Sequence, residues 1–479
     1  MKKKILAAVV AAASVLSLAG CGEKNNSSGA GNSGTTSSGG STSTPASSAG
    51  GNSSAASTPE SKPDESVPAV ELTDENKTLS IGVWGDNGDY KNLIDFFKEK
   101  TGTDVEVVPV NAGKGGEEAR DQYEVLMNDD NTDLDIIICD TDWVRNYVST
   151  DKFVLPLADL GIGASDYSDA YKYTIGVGTG DDGVLRGASF QATPGAWFYN
   201  AKLAEQYLGV KTPEEMQEKV KDWDTFTKTA AELNEKSEGK CAMTCTEGGL
   251  WQVYQCNRSK PWVVDNKLEM DNAEEFFDIA KTMYDNKAVT DATQWGDTWY
   301  ATMQSGDAMG EFASSWGLTG LSGSILGDSA GDNRKDENAE YAVCAGPQDY
   351  YWGGSYFCVT KKCNTMKTAA QFIRFYTTDA ETMKGYNEKT GDFMNNKTVM
   401  NAATYKNPSL VGGQDHLAVI KPVAESIDMD GKLTIYDSKI KTALNDSVLK
   451  YMTGELDKAA AIDNFKNEVR AAFPDLTVE

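Results

Sequence analysis

Tryptophan stands beside acidic or amide side chains at two places where predicted strands end. Trp84 is followed by Asp86 and Asn87, and Asp142 directly precedes Trp143. An indole ring stacks on the C–H face of a sugar ring, while carboxylates and amides hydrogen-bond to its hydroxyl groups. This combination favours noncovalent capture of a small polyhydroxylated molecule. The alternatives are that the tryptophans pack in a core and that Asp86 and Asn87 form a turn.

Elements that would position these residues follow one another regularly. Alternating or continuous apolar residues predict strands at 78–84, 105–110 and 134–139, and helical spacing predicts helices at 90–100 and 117–127. A strand–helix alternation of this kind is typical of a parallel sheet with helices on both faces. Ligands of such sheets bind beyond the carboxyl ends of the strands, which here carry the tryptophans.

Further along, the pattern indicates a strand with a flexible point in 185–200, followed mostly by helices. The predicted helices are 201–208, 223–234 with Asp222 as its cap, 273–285, one from 297 to 304, 364–377, 379–390, 436–451 and 457–473. Strands are predicted at 341–345 and 355–360. The chain shows no internal repeat of the length that builds solenoids.

Charge and length narrow the class of protein. The 479 residues carry a formal net charge of −27. Binding to nucleic acid or to anionic lipid needs clustered lysine and arginine, so this acidity argues against both. The roughly 400 residues of folding sequence exceed what one core usually supports, so two lobes are expected.

Cysteine and histidine give little support for a metal or redox site. The chain has 8 cysteines and 1 histidine, and no Cys-x-x-Cys motif occurs. Zinc, copper and haem sites built from thiolates or imidazoles are therefore disfavoured, and no metal or cofactor is predicted. Cys139 is expected to be a buried thiol, and Cys344 and Cys358, on consecutive predicted strands, either pair or stay free.

The first 21 residues are typical of an export signal. A basic start and an apolar run of roughly 15 residues, too short to span a bilayer, lead to Leu-Ala-Gly-Cys ending at Cys21. This ending resembles the bacterial lipoprotein pattern, in which the cysteine becomes the lipidated, palmitate-bearing N-terminus. An ordinary secretory signal is the alternative. The Ser/Gly-rich stretch that follows, treated as ~50 flexible residues, would form a disordered tether spanning on the order of 40 Å.

Several later segments, in this order, resemble the extracellular solute-binding proteins of bacterial ABC importers, family 1, maltose-binding-like and of the carbohydrate type. The segments are 132–138 (TDLDIII, with Leu134 in place of the family's proline), 152–160 (KFVLPLADL), 186–203 (RGASFQATPGAWFYNAKL), 223–226 (WDTF), 303–309 (MQSGDAM), 315–316 (SW), 345–347 (AGP), 353–361 (GGSYFCVTK), 369–373 (AAQFI) and 451–454 (YMTG). Each is weak alone, but their shared order covers most of the chain after the tether.

The resemblance implies an α/β, two-lobed periplasmic-binding-protein-like (type II) fold, each lobe a mixed sheet flanked by helices. Residues 1–20 would be the signal peptide and 21–75 the lipidated cysteine and tether. Lobe 1 would hold 76–191 with 352–396, and lobe 2 would hold 192–351 with 397–479. The function implied is capture of a sugar between the lobes and delivery to an ABC permease, without catalysis. The protein would be a monomer held at the extracytoplasmic face of the cell membrane by Cys21.

By the same resemblance, ligand contacts are expected from both lobes and from the crossing between them. From lobe 1 these are Trp84, Asp86, Asn87, Asp142, Trp143, Trp352 and Gly353; from the crossing, Gln191 and Thr193; from lobe 2, Glu247 in a loop, Trp251 and Trp316. Core or hinge packing is the alternative for each. Asp392 stands where the family has an apolar–proline step, so no role is carried over to it.

Three other functions stay open. Paired carboxylates could cleave a glycoside, so an exported glycoside hydrolase is possible in principle, although the chain has no Gly-x-Ser-x-Gly and no His-Glu-x-x-His motif. A sensing lipoprotein would need the same closing cleft as an importer. A non-sugar solute such as a polyamine would suit the acidic charge but would leave the 10 tryptophans unexplained.

Overall fold

The computed structural model of the chain describes residues 67, 69–84, 88–110, 116–292, 294, 296–319, 339–429 and 431–479. Its strands are β1 (Thr78–Trp84), β2 (Asp104–Val110), β3 (Ile136–Asp140), β4 (Gly187–Ser189), β5 (Gly195–Asn200), β6 (Ala242–Thr244), β7 (Val263–Val264), β8 (Lys267–Leu268), β9 (Ala308–Ser314), β10 (Tyr341–Cys344) and β11 (Ser355–Val359).

The helices are α1 (Gly88–Thr101), α2 (Gly116–Asn128), α3 (Arg145–Val148), α4 (Lys172–Gly178), α5 (Ala201–Leu203), α6 (Pro213–Val220), α7 (Trp223–Lys236), α8 (Glu247–Tyr254), α9 (Ala273–Asp285), α10 (Asp297–Ser305), α11 (Trp316–Thr319), α12 (Met366–Thr377), α13 (Ala380–Thr390), α14 (Lys397–Ala402), α15 (His416–Ser426), α16 (Asp437–Met452) and α17 (Lys458–Ala472). None of the helices described here has the length and hydropathy needed to cross a bilayer.

The first sheet has five strands in the order β2-β1-β3-β11-β4. β1 pairs in parallel with β2 and β3, while β11 pairs antiparallel with β3 and β4. In β3, Ile136 and Ile138 pack in one core cluster, and Ile137 and Cys139 pack in another. A strand buried on both faces is apolar throughout, which is why this segment shows no alternation. The predicted strand–helix alternation is confirmed here.

The second sheet has four strands in the order β10-β5-β9-β6. Its central strand β9 is not among the strands predicted from the sequence. All seven of its residues are buried, yet the strand contains Gly310 and Glu311, which interrupt the apolar run. A glutamate is seldom buried without hydrogen-bonding partners, so a segment that contains one is not predicted to be a fully buried strand.

Most predicted helices are present within two or three residues of their expected ends. α7 begins where its cap was expected, because an Asp222 carboxylate oxygen accepts a hydrogen bond from the Thr225 N–H at 2.7 Å. α9 has the predicted bounds. The expectation of a loop around Glu247 is wrong, since Glu247 is the first residue of α8, which Thr246 caps. The start of this helix consists of threonine, glutamate and glycine residues and shows no apolar periodicity, so the sequence pattern does not predict the helix.

The backbone crosses between the two sheets twice along the described strands. The backbone leaves the first sheet after β4 and enters the second at β5, and it returns between β10 and β11. Helices flank both sheets, so the expected mixed α/β, two-lobed periplasmic-binding-protein-like fold is confirmed. The residue limits of the two lobes remain predictions.

A disulfide between Cys344 and Cys358 does not form. Cys344 lies on β10 in the second sheet, whereas Cys358 lies on β11 in the first. Both are buried free thiols, as is Cys139. Strands that are consecutive in sequence here belong to different sheets, which sequence proximity alone does not reveal.

Candidate functional site

Three non-helical segments meet where the chain passes between the sheets, and Thr193 in the first of them has a φ of +46°. They are residues 190–195, 350–352 and 392–395, and backbone hydrogen bonds join the first to each of the others. The bonds run from Gly195 N–H to the Tyr350 carbonyl at 2.7 Å, from Trp352 N–H to the Thr193 carbonyl at 3.1 Å, from Ala192 N–H to the Phe393 carbonyl at 3.2 Å and from Asn395 N–H to the Phe190 carbonyl at 2.8 Å. The crossing is therefore a small hydrogen-bonded unit that can support side chains from both lobes.

Two predicted tryptophans stand beside this crossing. The indole N–H of Trp316 donates to the main-chain carbonyl of Trp352 at 2.8 Å. Their ring centroids lie 5.4 Å apart with the planes at 87°. Trp352 is buried, whereas Trp316 remains partly exposed. An edge-to-face pair in which one ring is partly exposed offers part of an aromatic surface, and the hydrogen bond to the backbone fixes its orientation.

Gly353 connects the tryptophans to the first sheet. Its carbonyl accepts hydrogen bonds from the hydroxyls of Thr141, at 2.7 Å, and Thr193, at 3.0 Å. Its φ of +77° favours glycine, because side chains clash with the backbone in this region. A Cβ added here would lie 3.5 Å from the Trp316 indole nitrogen. Gly353 and Thr193 are thus brought together with Trp316 and Trp352 as predicted, and the predicted Asp142 directly follows Thr141.

A charged group from the second lobe faces the end of β3. The Lys441 ammonium on α16 lies 2.5 Å from an Asp142 carboxylate oxygen and 3.2 Å from the side-chain oxygen of Gln252 on α8. Asp142 is partly exposed, with 42 % of its side-chain surface accessible. The Gln252 side-chain amide also donates to the Tyr351 carbonyl at 3.3 Å. Lys441 and Gln252 were not predicted, since neither belongs to a recognisable motif.

Asp140, one residue before Thr141, has an altered acidity. Burial, with a smaller contribution from neighbouring Asp142, raises its pKa to about 7, although the Asp142 N–H and the Lys441 ammonium oppose the change. Its carboxylate oxygen accepts the Asp142 N–H at 2.8 Å. The end of β3 therefore carries one carboxylate paired with a cation and one that titrates near neutrality.

Trp84 and Trp143 contact each other but occupy different environments. Their ring centroids are 6.2 Å apart, edge to face. Trp143 is 1 % exposed and packs against Tyr123 and Tyr147, so it belongs to the core in this structure. Trp84, at the end of β1, is partly exposed. Within the described part of the chain, neither indole N–H meets an acceptor.

Trp251 lies away from this cluster. It is fully buried and packs against Trp262 and Phe276, at centroid distances of 5.7 and 4.9 Å. No ring face is left for a solute in this arrangement. Its neighbour Gln252, about 100° further around α8, contacts the Tyr351 carbonyl and Lys441, so the helix turns the polar residue, not the aromatic one, towards the crossing.

Gln191 is bound within the crossing. Its side-chain amide donates to the carboxylate of Asp392, which also accepts from the Ser315 hydroxyl at 2.7 Å. Asp392 is 4 % exposed, and burial raises its pKa. Gln191 therefore has a hinge contact in this structure, and Asp392 is a polar centre to which sequence reasoning gave no role.

Some predicted residues cannot be placed. Cys21, Asp86 and Asn87 lie outside the described residues, as does the Glu247 side chain. The described residues contain no cluster of three or more histidine, cysteine or acidic side chains suited to a metal ion. The one histidine, His416, is buried and its pKa is lowered to about 4 by burial; its Nε2 contacts the Gly391 carbonyl at 2.8 Å.

Comparison with solved structures identifies the fold. A crystal structure of an extracellular solute-binding protein family 1 member aligns with a TM-score of 0.67 and 16 % identity, over 83 % of this chain and 100 % of that one. The ABC-transporter-associated binding protein of B. animalis subsp. lactis Bl-04, in complex with β-1,6-galactobiose, gives 0.66 and 19 %, over 84 % and 99 %. The galacto-N-biose/lacto-N-biose I-binding protein of Bifidobacterium longum, in complex with lacto-N-biose, gives 0.64 and 16 %, over 85 % and 100 %.

A sequence comparison extends this to the family. No curated protein matches the sequence. The family model described as bacterial extracellular solute-binding protein matches residues 92–412, which is well over half of the chain. The match includes β2, both crossings between the sheets and the Trp316–Trp352 pair. The chain therefore belongs to the bacterial extracellular solute-binding proteins.

Proposed function

We propose that this protein captures a sugar or oligosaccharide between its two lobes and delivers it to the permease of an ABC transporter. The observation that carries the proposal is the partly exposed Trp316, braced on Trp352 beside Asp142 where chain from both sheets meets. Two structural neighbours are named as ABC transporter binding proteins in complex with disaccharides, which supports this solute class.

In the proposed site, Trp316 supplies a stacking surface, and Trp84 a second one from the first sheet. The Asp142 carboxylate accepts hydrogen bonds from solute hydroxyls, and the Lys441 ammonium donates to solute oxygens. Asp86 and Asn87 follow Trp84 after Gly85 and remain expected contacts. Since a solute touches both lobes only when they approach, binding favours the closed arrangement.

The other predicted residues act indirectly. Trp143 and Trp251 support the two lobes from their cores. Gln191, Thr193 and Gly353 hold the crossing that positions the tryptophans. No residue is assigned a catalytic role.

We further propose that the protein is a monomeric lipoprotein anchored through Cys21, with residues 1–20 removed and residues 21–75 as its tether. An acyl-anchored capture protein stays near its permease while the tether lets it reorient. Substituting C21S should release the protein from the membrane fraction and abolish palmitate labelling. Membrane retention of C21S would contradict this anchor.

Binding is tested by thermal unfolding of the wild-type protein in the presence of monosaccharides, disaccharides including β-1,6-galactobiose and lacto-N-biose, longer oligosaccharides and polyamines. A ligand at 100 times its Kd should stabilise the folded protein by ~2.7 kcal/mol. The W316A variant is the matched control and should lose this stabilisation.

Two outcomes would overturn the proposal. Stabilisation by a polyamine and by no sugar would replace the solute class. Turnover of a bound glycoside, followed by release of reducing sugar, would replace binding with hydrolysis. Uptake of the stabilising sugar, compared in cells with and without this protein, separates import from sensing.

A further inference from the structure

Asp392 is a buried carboxylate held by neutral hydrogen-bond donors from distant parts of the chain. Its side chain accepts from the Gln191 amide, 201 residues away in sequence, and from the Ser315 hydroxyl, 77 residues away. The N–H of Phe393 donates to the same oxygen as Ser315, at 2.8 Å. These donors lower its pKa, but the effect of burial is larger. Burying such a group is unfavourable unless its acceptors are used, and here they are used to join separate segments.

The Ser315 contact leads directly to Trp316. Ser315 is the turn between β9 and α11, and Trp316 is the first residue of that helix. The Ser315 hydroxyl is fixed twice, because it donates to Asp392 and accepts from the Phe393 N–H at 3.2 Å. The Trp316 indole then donates to the Trp352 carbonyl.

The Gln191 contact leads to Trp352 from the other side. Gln191 forms an isolated bridge with Met394, so the first and third crossing segments are paired at this point. Two residues later, the Thr193 carbonyl accepts the Trp352 N–H, and the Thr193 hydroxyl donates to the Gly353 carbonyl. Asp392 is therefore connected to Trp316 through Ser315, its neighbour in sequence, and to Trp352 through Gln191 and Thr193 two residues further on.

We propose that Asp392 is a positioning residue that fixes the Trp316–Trp352 pair for ligand binding. This rests on the proposed function, because it assigns the pair to the solute site. The requirement is for hydrogen-bonding geometry more than for charge. An asparagine at 392 keeps one acceptor for Ser315 and Phe393, and its amide can donate to Gln191 once the Gln191 amide flips. An alanine loses all three contacts.

The test uses the protein labelled with 5-fluorotryptophan, whose ¹⁹F spectrum reports each indole, with Trp316 assigned from W316F. In the ligand-free state, D392A should shift the Trp316 resonance, and D392N should leave it close to wild type. S315A removes one of the contacts and should shift the same resonance less than D392A. Affinity for β-1,6-galactobiose and lacto-N-biose should fall at least 10-fold in D392A and change less than threefold in D392N.

The matched control is D135A. Asp135 is fully buried in the first lobe and accepts from the Ser80 and Asn364 N–H groups at 2.8 and 2.9 Å, with no contact to Trp316 in the described hydrogen bonds. It should destabilise the protein without moving the Trp316 resonance. The proposal is overturned if D392A, or S315A should D392A not fold, leaves that resonance in place. It is also overturned if D135A and D392A shift the resonance equally. If the wild type binds no sugar, the proposed function fails, whereas the ligand-free spectra still decide whether Asp392 positions the pair.

Discussion

Two tryptophan pairs in this chain have similar ring separations and opposite surroundings. Trp251 and Trp262 lie 5.7 Å apart with tilted rings, and they are 0 % and 1 % exposed. Trp316 and Trp352 lie 5.4 Å apart, but Trp316 remains partly exposed and its N–H is bonded to the backbone. The Trp251 indole N–H has no acceptor among the described residues. Ring proximity alone thus does not distinguish a core pair from a candidate binding surface, whereas partial exposure and a fixed orientation do.

The same contrast applies to the carboxylates of the two sheets. Glu311 in the second sheet is fully buried and accepts from the Thr244 hydroxyl, the Trp299 indole and the Phe312 N–H, at 3.1, 3.0 and 2.8 Å. Asp142, at the end of the first sheet, is partly exposed and pairs with Lys441. The first arrangement organises a core, and the second belongs to the proposed solute site.

Truncating the core pair should have the largest effect on stability. W251A removes a fully buried indole and should lower the free energy of unfolding by about 3–5 kcal/mol, since a cavity remains among Trp262 and Phe276. Equilibrium denaturation of the ligand-free protein measures this. A stable W251A variant that has lost only sugar affinity would return Trp251 to the binding site.

Neutralising the buried acid of the second sheet should change the pH dependence of stability. Burial raises the pKa of Glu311 to about 7, although its hydrogen-bond donors oppose this. The native state therefore binds more protons than the unfolded state between about pH 4.5 and 7, so Glu311 makes the protein less stable as pH rises through this window. Over that range the stability of E311Q relative to wild type should rise by about 3 kcal/mol.

Chemical denaturation at several pH values measures the difference in unfolding free energy between E311Q and wild type. A constant difference for E311Q would mean that Glu311 is not preferentially protonated in the folded state. Asp140 titrates near the same pH, so the variant-minus-wild-type difference, and not the wild-type curve, is the diagnostic quantity.

Truncating Trp316 in the Trp316–Trp352 pair should reduce sugar affinity while changing the free energy of unfolding much less. W316A should weaken sugar binding about 100-fold, equivalent to ~2.7 kcal/mol, because the partly exposed ring is the proposed stacking surface for the solute. Its effect on ligand-free unfolding should stay well below that of W251A, since less ring surface is buried. Calorimetric titration with the sugar found in the thermal screen, alongside denaturation, tests both. Equal stability losses in W316A and W251A would assign both pairs to the core.

The ion pair between the lobes should have the smallest effect. Because Asp142 is well exposed, its coupling to Lys441 should be about 0.5–1 kcal/mol and should decrease with salt. A double-mutant cycle of D142N and K441M, measured at low and high ionic strength, gives this coupling. The pair Lys450–Glu468, which joins α16 to α17 in the second lobe, is the control. Its removal should leave sugar affinity unchanged, whereas removal of Lys441 should alter it.

Much of the fold was predictable because the elements carry local signals. The alternation of β1, the apolar run of β3 and the Asp222 cap of α7 are properties of adjacent residues, and each element was found close to its predicted position. β9 and α8 were not predicted from the sequence. A buried glutamate interrupts the apolar pattern of β9, and a glycine-rich start hides the periodicity of α8. Asp142, Trp316 and Gly353 were identified because they lie next to strand ends or within the family's segments.

The sequence by itself determined the family and local elements such as β1, β3 and α7. These depend on composition and on neighbours a few residues apart. Only the tertiary structure decided which tryptophans are fully buried, which remain partly exposed and which acids are buried. It also brought together Gln191, Ser315 and Asp392, which are separated by up to 201 residues. The physical reason is that periodicity tells which side of an element is apolar, whereas long-range packing decides what covers it.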